Sequence, residues 1–175
     1  MSTADVLAGL LKNYLQPAAA PHTQAEGHFD QVASAVPPGT LASGITAAFE
    51  SPETPPFAQM VAQLFANSDP TQRAAMLTTL LNAIPAEQRV ALSKVLGGGT
   101  TGAPAAAAPT VTPQQAQQVS PADVTRAAEQ AAASDPSIVG KLGSFYAQHP
   151  TLVKSLGSLA MIIAMRKIAR NYTRG

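Results

Sequence analysis

The chain has no cysteine and no tryptophan. The missing cysteines exclude disulfide frameworks, thiolate zinc sites and cysteine nucleophiles together. Large apolar residues are also scarce. Leu, Ile, Val and Phe number 37 of 175, while alanine alone accounts for 35. That supply lies near the composition at which chains stop folding, but disorder also needs a high net charge, and here it is +1. A folded, economical helical protein is therefore expected. Long hydrophobic runs are missing too. The most apolar stretch, Leu156 to Met165, is bracketed by Lys154 and Arg166, which allows about 17 Å of helix against about 30 Å of hydrocarbon. Met1 to Leu15 carries Asp5 and lacks the basic segment, apolar run and cleavage site of a signal peptide. These features predict a cytoplasmic protein, with peripheral membrane attachment as the alternative.

What the chain has instead is punctuation: 15 prolines and 12 glycines. Segments 17–25 and 97–111 combine proline, glycine and small residues with no apolar period, and read as flexible linkers, the second disordered. They predict an N-terminal amphipathic helix over 1–16, a middle helical unit over 26–96 and a C-terminal helical unit over 112–175. Asp69-Pro70-Thr71-Gln72, Thr112-Pro113-Gln114-Gln115 and Ser120-Pro121-Ala122-Asp123 each place a capping oxygen at N-cap, proline at N1 and a polar acceptor at N3. That is a capping-box arrangement, in which proline gives up an N–H the first turn could not use. Asp135-Pro136 and Thr54-Pro55 share the cap and the proline, and Ile84-Pro85 and His149-Pro150 open helices by proline alone. Helical apolar spacing fills the intervals and period-two alternation is missing. The expected fold is all-α: about nine to ten short helices, with a long apolar helix from 150 to about 171.

Candidate chemistry is thin. His22, His28 and His149 with scattered carboxylates are weak metal ligands, and solvated histidines are the expected reading. Gly143-Ser144-Phe145 lacks the second glycine and the strand-to-helix setting of a nucleophile elbow. The glycine run at 97–102 has alanine at position 103 where a phosphate loop needs lysine. Glu50 and Glu53 flank Pro52 in a loop and are the place to look for an enzymatic pocket. No catalytic residue, metal or cofactor is nominated.

Charge is segregated. No basic residue lies between Lys12 and Arg73, and no acid follows residue 151, where Lys154, Arg166, Lys167, Arg170 and Arg174 cluster. Cations at a helix C-terminus oppose its macrodipole, and with Tyr172 alone available for stacking, nucleic acid is not the expected partner. Leu152, Leu156, Leu159 and Ile163 form one stripe, and Met161, Ile162, Met165 and Ile168 extend apolar surface around most of the last helix, which predicts a central core helix. On that reading Leu159→Asp unfolds or solubly disperses the protein. Val6, Leu7, Leu10, Leu11 and Tyr14 give the first helix its own apolar stripe, which either covers the core or docks in a partner's groove.

The segment HFDQVASAVPPGTLASGITAAFESPETPPFAQMVAQLF, with the LGGG stop and the blocks VSPADV, DPSIVGKLGSFYAQHP and TLVKSLG, resembles a group of small bacterial proteins distantly similar to the YidB-like helical family. The resemblance implies a small bacterial α-helical protein and no catalytic residue at any position. The functional expectation is a non-enzymatic helical protein that associates with itself or docks on a protein partner. Its candidate contacts are Val6, Leu7, Leu10, Leu11, Tyr14, Leu156, Leu159, Ile162, Ile163, Arg166, Lys167 and Arg170. A peripheral membrane protein using residues 150–172 is the alternative, and an enzyme with an unrecognised pocket a remote one. No small-molecule ligand is expected.

Overall fold

The computed structural model describes residues 2–16, 22–95 and 110–174. Among these residues all regular structure is helical and no strand occurs. The helices are α1 (Thr3–Tyr14), α2 (Ala25–Ala35), α3 (Pro38–Phe49), α4 (Phe57–Asn67), α5 (Pro70–Ala83) and α6 (Ala86–Val95). They continue as α7 (Pro113–Gln117), α8 (Pro121–Ser134), α9 (Ile138–Ala147), α10 (Pro150–Val153) and α11 (Ser158–Arg174). Single 3-10 turns occupy His22–Gln24 and Lys154–Leu156. Residues 22–25, expected as linker, are thus helical. The remainder of the first linker and most of the second, with the glycine stop after α6, lie outside the described residues.

Local chemistry sets the helix starts. At α5 the Gln72 N–H donates to Asp69 Oδ1 at 2.8 Å while the Asp69 N–H donates to Gln72 Oε1 at 3.1 Å. Thr112 and Gln115 exchange the same pair of bonds at α7. At α8 the box is incomplete: Ser120 Oγ accepts from the Asp123 N–H, but the Asp123 carboxylate takes the Ser120 hydroxyl instead of the backbone N–H. Thr54 is no cap at all. It is buried, and its hydroxyl reaches the carbonyls of Ala48 at 2.6 Å and Ser51 at 2.9 Å, tying the following loop to the end of α3.

The chain forms two compact units, Met1–Pro55 with Leu142–Gly175, and Pro56–Lys141. This differs from the expected division, because the middle stretch 26–96 is split near Pro55. Helices α2 and α3 bury their apolar faces on α11, whereas α4 and α5 pack with α8, and α5 also with α7.

In the second unit, Met60, Val61, Leu64 and Phe65 of α4 and Met76, Leu77, Leu80 and Leu81 of α5 are buried, and both helices pack on α8. The buried face of α8 is Val124, Ala127, Ala128 and Ala131, one helical stripe of mostly methyl-sized side chains. Arg73 donates to the Phe65 and Ala66 carbonyls at the end of α4, at 2.9 and 2.8 Å, with its guanidinium 5.1 Å from the Phe65 ring centroid. One cation therefore binds two carbonyls of the last turn and covers an aromatic face. Asp135 accepts from Lys141 Nζ at 2.7 Å and from Ser137, which hold its carboxyl down to about 2.

In the first unit α11 packs against α1, α2 and α3. Gly44 of α3 lies directly against α11: a Cβ there would stand 2.6 Å from Ile168 Cγ1 and 2.8 Å from the Ala164 carbonyl oxygen. Gly143 of α9 meets Thr46 and the Ala42 carbonyl of α3 in the same manner. Phe49 and Tyr146 pack edge to face at 6.2 Å, and burial pushes the Tyr146 phenol up. The helix expected to run unbroken from 150 is interrupted at Gly157, whose φ of 87° belongs to the left-handed region that glycine adopts without a Cβ penalty. The preceding 3-10 turn is closed by the Gly157 N–H on the Lys154 carbonyl.

Two predictions follow from these contacts. Gly44→Ala overpacks the contact with α11 and lowers stability by about 1–3 kcal/mol, whereas Gly27→Ala on α2, where a Cβ meets nothing within 4 Å, raises it by about 0.5–1 kcal/mol through helix propensity; urea denaturation of both variants checks the pair. The lowered Asp135 carboxyl contributes stability that is complete above its ordinary value of 3.8 and is lost as pH falls through about 2. The stability difference between the wild type and Asp135→Asn should therefore be largest above about pH 4 and close toward pH 2, as read by denaturation midpoints across that range.

Candidate recognition face of the C-terminal helix

An α-helix turns 100° per residue, and on that wheel α11 divides cleanly. Ala160, Met161, Ile162, Ala164, Met165, Ile168 and Ala169 occupy the buried side. Leu159, Ile163, Arg166, Lys167, Arg170 and Arg174, spaced i, i+4, i+7, i+8, i+11 and i+15, share the remaining arc of about 100°. Leu159 is 39% exposed, Lys167, Arg170 and Arg174 are exposed, and Ile163 and Arg166 are half-buried. The helix is apolar on its inner side and changes from apolar to basic along its outer side.

The outer side borders two depressions. The larger, about 300 Å³, has Ala47 and Ile163 as apolar lining and Ser51, Glu53, Arg166, Lys167 and Arg170 as polar lining. The smaller, about 140 Å³, lies beside Tyr14 and Leu15 and is again lined by Arg166 and Arg170. Arg166 Nη1 is 4.0 Å from Glu53 Oε2, with side chains 29% and 60% exposed, a loose pair in contact with solvent. Ser51 Oγ accepts the Glu53 N–H at 3.2 Å, fixing the loop that carries the acid. Among the described residues, Lys167, Arg170 and Arg174 have no carboxylate within ion-pair distance. Lys154 of the same unit pairs with Asp30 of α2 and stands apart from this cluster.

The other candidate contacts fall differently. Leu7, Leu11 and Tyr14 are buried and α1 lies on α11 and α2, so the first helix covers its own chain's core. Val6 points outward, 54% exposed, and Leu10 is half-buried. Leu156 and Ile162 are core residues. The Tyr14 hydroxyl is 2.8 Å from His28 Nδ1, with the rings edge to face at 5.8 Å, and burial raises the phenol's pKa. His28 thus joins α1 to α2. No group of three metal-capable His, Asp or Glu residues occurs among the described residues. Glu50 is exposed at the end of α3, and the carboxylate at the larger depression is that of Glu53. No helix among the described residues is long and apolar enough to cross a membrane.

Ser51 and Ala47 enter the depression without having been singled out from the sequence, and only their position near the end of α3 could have suggested them. The outer spacing of 159, 163, 166, 167, 170 and 174 was legible, but the reading of α11 as apolar all round concealed it. No protein-family model matches the chain, and no curated protein or solved structure shows significant similarity to it. The resemblance to the YidB-like family therefore rests on the short patterns quoted for it.

The exposure of Leu159 overturns the expectation that Leu159→Asp unfolds the protein. That variant should keep its melting temperature within a few degrees, while Ile168→Asp, which places an unpaired charge at a fully buried position, should cost about 3–5 kcal/mol; thermal melts followed by circular dichroism distinguish the two.

Proposed function

We propose that this is a non-enzymatic binding protein whose outer α11 face docks an acidic, amphipathic helical segment of a protein partner. The observation that carries this reading is the arc on which Arg166, Lys167, Arg170 and Arg174 continue the apolar pair Leu159 and Ile163, with one loose ion pair among the four cations within the described residues. Apolar anchors beside unpaired charge suit a helix laid along the face, the anchors supplying affinity and the cations orientation. Two copies meeting through this face would oppose like charges, which favours a different protein over self-association. Attachment to a membrane through residues 150–172 is the weaker reading, because Met161, Ile162, Met165 and Ile168 point into the core and leave little apolar area to insert.

The test is fluorescence anisotropy of a labelled helical peptide carrying glutamates on one face and leucines on the other, titrated with the full chain. Binding should weaken with added salt and fall about tenfold or more when Lys167→Glu and Arg170→Glu are combined, with the helical spectrum unchanged. Binding that is indifferent to this double reversal contradicts the proposal.

A further inference from the structure

We infer that the larger depression beside α11 is a site for the phosphate group of a phosphate monoester. Three cations, Arg166, Lys167 and Arg170, line it from two neighbouring turns of one helix, and its volume of about 300 Å³ lies at the lower end of the range for small-molecule sites. Among the described residues Glu53 is the one carboxylate in its lining, so the site presents an excess of two positive charges. A phosphate monoester near neutral pH carries about two negative charges, its second pKa being about 6; a carboxylate carries one. Arginine forks match phosphate oxygens in pairs, and the Ser51 hydroxyl adds a polar group at the other wall. Glu53 is mostly exposed and 4.0 Å from Arg166, so it can yield Arg166 to a stronger anion. Ala47 and Ile163 give the carbon portion of the ester an apolar surface. Arg174 lies on the same outer arc but does not line this depression, which separates a defined site from diffuse charge. The inference rests on the depression and stands independently of the docking proposal.

Isothermal titration of the full chain with inorganic phosphate and with phenyl phosphate, at constant ionic strength, tests it. Phenyl phosphate should bind, with affinity reduced about tenfold in Arg170→Gln, altered less than twofold in Arg174→Gln, and increased about threefold in Glu53→Gln, where the internal competitor is removed. Co-sedimentation with phosphatidylcholine vesicles, with and without phosphatidic acid, assigns the source. Binding to the phosphatidic acid vesicles alone, lost in Arg170→Gln, upholds the site with a lipid headgroup as its ligand; binding of the soluble ester upholds it with a free one. Binding of neither probe, or equal losses in Arg174→Gln and Arg170→Gln, overturns it. If both probes fail while the acidic peptide still binds, the phosphate site falls and the docking face stands.

Discussion

The approach of α3 to α11 at Gly44 is the constraint on which the first unit depends. A hydrogen in place of a methyl lets the α3 backbone come close enough that an added Cβ would lie 2.8 Å from the Ala164 carbonyl. At that spacing Ile168 packs directly over the glycine, and the stripe of Ala160, Ala164 and Ile168 on α11 is sealed from water. The rotation of α11 about its own axis is thereby set. Its inner arc is committed to the core, and its outer arc carries Leu159, Ile163 and the four cations regardless of what they later bind.

The same economy of volume runs through the second unit. Val124, Ala127, Ala128 and Ala131 of α8 are fully buried against larger side chains of α4 and α5. Small residues on one partner and large ones on the other fill space without a large supply of leucine. A composition that looks marginal by its count of large apolar residues is adequate when alanine lies where helices meet. Helix ends are satisfied locally: caps at Asp69, Thr112 and Ser120 accept first-turn N–H groups, and Arg73 donates to the Ala66 carbonyl at the end of α4.

Much of the fold was legible because its signals are short-range. Proline at N1 behind a capping oxygen located the starts of α5, α7 and α8, and apolar periodicity located α1 through α6. Signals that depend on tertiary context misled. Thr54 has a cap residue's sequence neighbourhood, yet its hydroxyl serves the carbonyls of Ala48, in α3, and Ser51, just after it. Gly157 sits inside a strong helical pattern, yet its positive φ breaks the helix. Segmentation by linker composition placed α2 and α3 with α4, whereas the core that claims them lies over a hundred residues later in α11, a pairing no local pattern encodes. At the candidate site the cations were visible as a cluster, but their common face emerged only once burial of Met161, Met165 and Ile168 fixed the inner side.

Whether α11 has one arc committed to the core and one open arc is accessible to thiol labelling, because the chain has no cysteine of its own. Single variants Leu159→Cys, Lys167→Cys and Arg170→Cys, compared with Ala160→Cys, Ala164→Cys and Ala169→Cys, would be reacted with a maleimide under native conditions and again in urea. The account predicts that the first three label natively within about tenfold of their unfolded rates, while the second three are protected by several orders of magnitude, as expected of groups that react only through opening of the fold. Comparable labelling of all six in the native protein, or protection of Lys167→Cys and Arg170→Cys, would contradict it.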